Sequence, residues 1–215
     1  MKKLLSSERI KAKALRLGFS ACGLAPAEAV DETVATAFRQ WLADGCQAEM
    51  AYMQNYEDKR LDPRLLVEGA RTVISVALNY YPATKIPENE YQIAWYAYGK
   101  DYHDVMKGKL KELFEFIEKE VSFSEETDST IASTNNIGTY TENYASAPQA
   151  PVSQTSASPL QGRIFCDTAP ILERYWAWRT GLGWIGKNTH LIIPHAGSCF
   201  FLGEIILDRE ADNYD

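Results

Sequence analysis

The sequence predicts an α/β fold in which helices are layered against a mixed β-sheet, an arrangement also described as α+β layered. Segments with the 3.6-residue spacing of amphipathic helices alternate along the chain with short apolar, β-branched runs that are typical of strands. The chain has 215 residues, of which 46% are hydrophobic, so it can bury a sizeable core. We therefore expect one layered domain over residues 1–215.

The predicted helices share an apolar stripe that faces a polar, solvent-exposed side. The first helix ends at Gly18, and the short third helix can be capped by Asp62, with Pro63 in its first turn. The fourth helix is the longest and carries lysines and glutamates on its exposed face. The helical segments are residues 4–17, 32–44, 61–70, 102–121 and 169–181.

The predicted strands are short and rich in apolar residues. The clearest is "TVISVALNYYP", which is β-branched and ends at Pro82. The last two strands are separated by "HAGS", which has the composition of a turn. The strand segments are residues 19–25, 72–81, 162–168, 190–194 and 199–208.

A segment of different composition follows the long helix. Residues 122–162 contain no lysine or arginine and are rich in Ser, Thr, Asn, Ala and Pro. Such a composition buries too little apolar surface to offset the entropy that is lost on ordering. We expect a mobile, low-complexity surface insertion at about residues 122–162, with a hairpin around residues 135–144, that does not carry the function.

Composition excludes several classes of protein. The net charge of -7 argues against a broad basic face for nucleic acid, although a local basic patch remains compatible with it. The four cysteines form no CxxC pair, so we expect neither a metal site nor an iron–sulfur cluster ligated by this chain. No apolar run is long enough for a membrane span, and the N-terminus lacks a signal-peptide pattern, so a cytoplasmic protein is expected.

Asp167 is the first candidate for chemistry because it lies where a predicted strand ends and a predicted helix begins. Either Asp167 or Thr168 can cap that helix, which is a purely structural role. The alternative is a general acid at the edge of the sheet. A helix N-terminus stabilises a carboxylate, whereas a proton donor must stay protonated near neutral pH. The second role therefore requires a large apolar ligand that covers the carboxyl group.

Three further places offer polar groups to a ligand. The loop "GLGWIGKN" combines three glycines with Lys187 and Asn188, but its spacing is not that of a phosphate loop. Asp101 and His103, at the start of the long helix, form either a helix cap or a polar cluster that contacts a substrate. Arg60 is either a surface ion pair or an anchor for an anionic or amide-bearing ligand.

Several motifs in one order resemble the N-terminal half of the epoxyqueuosine reductase family, which is cobalamin-dependent and completes queuosine in the anticodon loop of certain tRNAs. Together they extend over nearly the whole chain apart from residues 122–162. The resemblance implies a cobalamin-binding domain similar to nitroreductase-like and cobalamin-processing folds. The motifs are "EMAYM", "RLDPRLLVEGARTVISVALNYYP", "YGKDYH", "DTAPILERYWAWRTGLGWIGKNT" and "GSCFFLGEI".

The resemblance implies a role for each candidate residue. Asp167 is expected to donate the proton to the epoxide oxygen at the substrate side of the corrin. Lys187 and Asn188 are expected to line the cofactor site, and Asp101 and His103 to orient the substrate. The residues expected beside cobalamin, bound base-off, are Arg60, Ala94, Asp167, Leu191 and Leu202.

The resemblance also implies groups that this chain does not contain. Two [4Fe–4S] clusters are expected in a C-terminal part, so we interpret the chain as a fragment that is inactive alone. The expected partners are tRNA carrying epoxyqueuosine and an external electron donor, and we expect a monomer that does not bind membranes. The alternatives are a cobalamin-binding or cobalamin-processing module without tRNA chemistry, and a corrinoid reductase, similar to dehalogenases, that acts on another leaving group.

Overall fold

The structure, a computed structural model, describes residues 4–134 and 159–215. Its helices are α1 Ser7–Arg16, α2 Glu32–Ala43, α3 Glu57–Leu61, α4 Tyr102–Thr134 and α5 Glu173–Arg179. Its strands are β1 Ala21–Pro26, β2 Thr72–Asn79, β3 Gly162–Phe165, β4 Trp184–Ile185, β5 Leu191–Ile192 and β6 Phe200–Leu207. Short 3₁₀ turns cover Ala51–Gln54, Pro63–Leu65 and Trp95–Ala97.

A four-stranded sheet with the order β1-β2-β6-β3 forms the centre of the fold, and β4 and β5 form a separate hairpin. The predicted layered α/β fold is confirmed. Each strand pair in these two sheets is antiparallel, so the sheet is antiparallel where we expected a mixed one. β2 returns antiparallel along β1, and β6 returns antiparallel along β3. The connection through α4 instead crosses from β2 to β3, which run in the same direction on either side of β6.

Both faces of the sheet are covered. On one face, Ile74 and Val76 of β2 pack in a core with residues of α1 and α4. On the other face, Val73 of β2 packs with α2 and α5 residues, including Trp176. Coverage on both sides explains why β2 is mostly apolar, with only two small polar residues, Thr72 and Ser75, among its six buried positions.

The structure describes ordered residues at both ends of the predicted insertion. α4 continues to Thr134, so the segment predicted to start at residue 122 begins inside a helix. At the other end, Leu160 packs against the core. The Gln161 backbone N–H donates a hydrogen bond of 2.9 Å to Asp208 Oδ1, and the Gln161 carbonyl oxygen accepts one of 2.9 Å from the Asp208 backbone N–H. The hairpin predicted around residues 135–144 lies outside the described residues.

Local elements differ from the prediction in two further places. The last helix begins at Glu173, because residues 169–172 form an irregular turn after β3. The loop "GLGWIGKN" contains strand β4, which pairs with β5, where we expected a turn alone. The predicted cap is confirmed: Asp62 Oδ1 accepts a hydrogen bond of 3.0 Å from the Arg64 backbone N–H, although the turn that it caps is a 3₁₀ turn. Among the described residues, no helix is long and apolar enough to cross a membrane.

The packing predicts opposite effects for two glycine-to-alanine changes. A Cβ at Gly23 of β1 would overlap the Thr180 carbonyl oxygen and lie 2.9 Å from Leu182 Cδ1, so Gly23→Ala should lower the free energy of unfolding by about 2 kcal/mol. A Cβ at Gly108 of α4 meets nothing within 4 Å, so Gly108→Ala should raise it by up to about 1 kcal/mol. Urea denaturation measures both changes. Equal effects of the two substitutions would contradict the described packing between β1 and the end of α5.

Candidate active site

A cleft of about 1090 Å³ lies beside α5. Its walls come from α2, from the segment between Tyr52 and Arg60, from the turn after β3, and from α5 and the β4–β5 hairpin. Most of these residues are apolar, which is typical of sites for large organic ligands. The aromatic residues that line it are Phe38, Trp41, Tyr52, Tyr56, Tyr175, Trp178 and Trp184.

Asp167 lines this cleft and has an unusual backbone conformation. Its φ is 57°, in the left-handed region that non-glycine residues rarely adopt. Its backbone N–H donates a hydrogen bond of 2.7 Å to Glu173 Oε1, which holds the turn against α5. The structural alternative is wrong, because α5 begins six residues later, with Leu172 at its N-cap and no side-chain cap hydrogen bond. A left-handed residue at a cleft is the kind of strain that often marks a functional site.

The start of α4 provides polar partners for Asp167. The Tyr102 hydroxyl donates a hydrogen bond to Asp167 Oδ2, and His103 Nε2 lies 3.5 Å from the same oxygen. His103 Nδ1 lies 2.9 Å from Asp101 Oδ1. The predicted candidates Asp101, His103 and Asp167 therefore form one connected group, with Tyr102 as an additional member that sequence reasoning missed.

Asp101 caps the start of α4 and also contacts His103. Its Oδ1 accepts a hydrogen bond of 2.9 Å from the His103 backbone N–H, as a helix cap does, and this bond lowers the pKa of Asp101. The same oxygen also contacts the imidazole ring. The Tyr102 ring is fixed by stacking on Phe201, at 4.0 Å between ring centroids. The group is thus held by a helix terminus on one side and by strand β6 on the other.

Two more carboxyl groups lie near Asp167, and sequence reasoning missed both. Burial, followed by the charge of Asp167, raises the pKa of Glu173 to about 7. Burial, followed by the charges of Glu173 and Asp167, raises the pKa of Glu204 well above its usual range. Glu204 is fully buried, and within the described part of the chain neither of its carboxyl oxygens has a hydrogen-bond partner. A lone acid inside the apolar run "FFLGEIIL" was the available signal for Glu204.

Arg60 lines the cleft. Its side chain is largely buried, at 8% exposure, and burial lowers the pKa of its guanidinium. The guanidinium carbon lies 5.9 Å from the centre of the Phe38 ring, and Nε has no hydrogen-bond partner within the described ranges. Arg60 is therefore not a surface ion pair, and its N–H groups are available to a ligand carbonyl or anion.

The remaining predicted cofactor neighbours do not line the cleft. Lys187 and Asn188 are exposed in the β4–β5 turn, where Asn188 Oδ1 accepts a hydrogen bond of 3.2 Å from the His190 backbone N–H. Leu191 and Leu202 pack together in an apolar cluster of the core. Ala94 is exposed, just before the turn Trp95–Ala97.

The chemistry of the described part of the chain is that of proton transfer and ligand binding. The described residues contain no group of three or more His, Cys, Asp or Glu side chains that could hold a metal ion. The cleft instead joins apolar walls to one buried guanidinium and to a set of carboxyl groups. Such a site can enclose a large organic ligand and supply it with protons.

The raised pKa of Glu173 predicts a pH-dependent stability. Because its pKa is about 7 in the folded protein, against 4.5 for an ordinary glutamate, this group stabilises the fold fully below pH 4.5, and the contribution is lost as the pH rises through 7. Glu173→Gln keeps a neutral side chain of the same shape. Between pH 4.5 and pH 8, the free energy of unfolding of the wild type should therefore fall by roughly 2–3 kcal/mol more than that of the variant. Urea titrations across this range measure the difference, with Glu112→Gln on the exposed face of α4 as the control. Parallel pH profiles for all three proteins would contradict the assignment.

Comparison with known sequences gives a consistent match. The family described as "Epoxyqueuosine reductase QueG, DUF1730" matches residues 60–131. An epoxyqueuosine reductase of Cellulophaga algicola is 42% identical over 204 residues, which cover 95% of this chain and 55% of the relative. One from Gloeobacter violaceus is 36% identical and is matched over 97% of this chain and 54% of its own length.

Solved structures give the same result for the fold. The structure of epoxyqueuosine reductase from Streptococcus thermophilus superposes with a TM-score of 0.69 at 25% identity, over 97% of this chain and 48% of that protein. An epoxyqueuosine reductase solved with an epoxyqueuosine-modified tRNA stem loop has a TM-score of 0.65 at 22% identity and covers 97% of this chain and 47% of that one. The chain spans about half the length of these relatives. Its predicted resemblance to the N-terminal portion of epoxyqueuosine reductases is confirmed by these matches.

Proposed function

We propose that this chain forms the catalytic N-terminal portion of a tRNA epoxyqueuosine reductase, an oxidoreductase that converts the epoxide of epoxyqueuosine in the anticodon loop to the alkene of queuosine. Relatives of the same name and a related structure with a modified tRNA stem loop support the substrate class. The observation that carries the proposal is the position of Asp167. It lies at the wall of an apolar cleft, where Tyr102 and His103 hold its carboxyl group.

The cleft suits the corrin ring of cobalamin, the cofactor that the family resemblance implies. A corrin offers extensive apolar surface and peripheral amide groups, and the cleft offers aromatic and aliphatic walls. The buried Arg60 side chain, whose Nε is unpartnered, can donate hydrogen bonds to an amide carbonyl at the rim of the ring. Bound cobalamin would supply the electrons that break the carbon–oxygen bonds of the epoxide.

The residues of this chain would control the proton and the surroundings of the reacting oxygen. Asp167 would donate a proton to the oxygen as it leaves carbon. Tyr102, fixed by its stacking on Phe201, and His103, linked to Asp101, would keep the carboxyl group directed at that oxygen. The apolar walls of the cleft would exclude bulk water, which strengthens each of these interactions.

The substrate nucleoside needs a surface that accepts an unstacked base. Trp178 and Trp184 line the cleft and remain 43% and 49% exposed, so their rings are available for stacking. Base recognition in RNA loops commonly uses such stacking. Asp101 and His103, next to Asp167, would orient the hydroxyl or amine groups of the substrate.

The rest of the activity would come from outside this chain. The chain spans about half of its relatives, and we place the [4Fe–4S] clusters in the other half, with an external donor feeding them electrons. We further propose that the protein is cytoplasmic, where its tRNA substrate is found, and acts as a monomer. Leu191, Leu202, Lys187, Asn188 and Ala94 remain candidates for cofactor contacts, because the other half would complete a site beyond the cleft walls.

Replacing the acid tests the proposed function directly. In the full-length protein, Asp167→Asn should lower the rate of epoxide reduction at pH 7 by about 10²–10⁴-fold, since the amide cannot protonate the leaving oxygen. Cobalamin binding, followed by its absorption spectrum, should persist. Asp104→Asn, an exposed change on the first turn of α4, serves as the matched control and should keep normal activity. Near-normal turnover of Asp167→Asn with cobalamin bound would remove Asp167 from the mechanism.

A second variant tests how the acid is positioned. Tyr102→Phe removes the hydroxyl that donates to Asp167 and retains the ring that stacks on Phe201. We expect kcat to fall by about tenfold, the value of one well-placed hydrogen bond, with little change in KM. Tyr91→Phe is the control, because Tyr91 is 99% exposed. Equal kcat values for the two variants would show that Asp167 does not need Tyr102.

A further inference from the structure

The proposed reaction consumes two protons at one atom. Conversion of an epoxide to an alkene breaks both carbon–oxygen bonds, forms the carbon–carbon double bond and releases the oxygen as water. The balance requires two electrons, which the bound cofactor and its electron donor provide, and two protons on the departing oxygen. A single carboxyl group carries one proton at a time. If the proposed function is correct, Asp167 must therefore be recharged within the turnover.

Glu173 is the carboxyl group in contact with Asp167. Its Oε1 accepts a hydrogen bond of 2.7 Å from the Asp167 backbone N–H. After burial, the charge of Asp167 is the largest of the effects that raise the pKa of Glu173, because the two carboxyl groups lie close to each other. Glu173 is thus placed to pass a proton to the Asp167 carboxylate.

Glu204 lies behind Glu173, on the same side of the sheet. Side chains alternate along a strand, and the neighbours of Glu204 on its face, Leu202 and Ile206, pack with residues of α5. Glu204 therefore faces α5, the helix that carries Glu173. It is fully buried, and both of its carboxyl oxygens lack a hydrogen-bond partner among the described residues.

Two further buried polar groups accompany Glu204 in this layer. Ser75 is paired with Glu204 across β2 and β6, and Trp176 lies on α5 one turn after Glu173. The Ser75 hydroxyl and the Trp176 indole nitrogen are also without hydrogen-bond partners in the described part of the chain. Three unpartnered polar groups within one apolar layer form the kind of set that holds bridging water and conducts protons.

The charges around Glu204 favour its neutral form. Glu173 on α5 and Asp167 in the turn after β3 both oppose a negative charge there. Burial and the charges of Asp167, Glu173 and Glu204 raise the pKa of the Cys166 thiol, which follows β3. The charge of Lys107 of α4 lowers the pKa of this thiol. The charge of Arg174 lowers the pKa of Glu173, against the effects of burial and of Asp167. The net effect on Glu204 is that burial and two neighbouring acids retain a proton.

We propose that Glu204 and Glu173 form an internal proton store that supplies the second proton of each turnover through Asp167. Asp167 first gives its proton to the oxygen as one carbon–oxygen bond breaks. Glu173 then reprotonates the Asp167 carboxylate, and Glu204 reprotonates Glu173. Asp167 donates again as the oxygen leaves as water, and solvent restores the two protons before the next turnover.

Glu204→Gln in the full-length protein tests the store, because the amide matches the shape of the neutral acid but cannot release a proton. At pH 6, where Glu173 is itself protonated, the rate of epoxide reduction should stay within about twofold of the wild type. At pH 8, the rate should fall by tenfold or more, near the lower limit for loss of an acid catalyst. The control is Glu112→Gln, on the exposed face of α4.

Infrared spectroscopy of the full-length protein provides a readout that is independent of turnover. At pH 9, where Glu173 is ionised, the wild type should have a carbonyl stretching band of a buried, protonated carboxylic acid. Glu204→Gln should lack this band, whereas Glu112→Gln should keep it. If Glu204→Gln does not fold, the wild-type band followed with pH decides whether a buried acid stays protonated at pH 9. Glu173→Gln then interrupts the path and should lower turnover at all pH values.

Each result bears on a separate claim. If the wild type turns over and Glu204→Gln follows its rate at every pH, or if the infrared band is absent, the proton store is wrong while the proposed function stands. A uniform loss at every pH would indicate a structural role for Glu204 and would also overturn the store. If wild-type full-length protein with bound cobalamin does not reduce epoxyqueuosine in tRNA, the proposed function itself fails.

Discussion

The candidate site depends on the burial of carboxyl groups close to one another, beside an apolar cleft. An ionised carboxylate loses most of its hydration when buried, and a second negative charge nearby raises the cost further. Glu173 and Glu204 experience both effects. Burial and mutual repulsion therefore make both carboxyl groups harder to ionise than an exposed glutamate.

The fold produces this arrangement from elements that are far apart in the sequence. β3 ends at Phe165, and the left-handed conformation of Asp167 turns the chain so that α5 lies across one face of the sheet. β6 contributes Glu204 to that layer, through its central position between β2 and β3. On the opposite face, α4 presents Tyr102 at its N-terminus to the same turn. Asp167 is thus reached from both layers of the core.

The sequence was informative where a local pattern determines the structure. Helical periodicity and the apolar strands located most elements, and the junction of strand and helix identified Asp167. The irregular turn that displaces the start of α5 was not predicted, so a cap remained a reasonable alternative for Asp167. That turn depends on the hydrogen bond between the Asp167 backbone and Glu173, which no propensity encodes.

The partners of Asp167 could be predicted only in part, for a physical reason. Asp101 and His103 stood out as polar residues at a helix start, yet the contact of Tyr102 with Asp167 joins positions 65 residues apart. Glu173 resembled an ordinary residue of the first turn of a helix, where acids are common. The protonation of Glu173 and Glu204 follows from desolvation, which exists only once the layers are assembled.

A crystal structure of the full-length protein with cobalamin and an epoxyqueuosine-containing tRNA stem loop tests the central claim most directly. The account predicts that the corrin contacts the cleft beside Arg60. It also predicts that an Asp167 carboxyl oxygen lies within hydrogen-bond distance of the epoxide oxygen, with Glu173 behind it. A structure in which Asp167 points away from the bound nucleoside, with another residue next to the epoxide oxygen, would contradict the account.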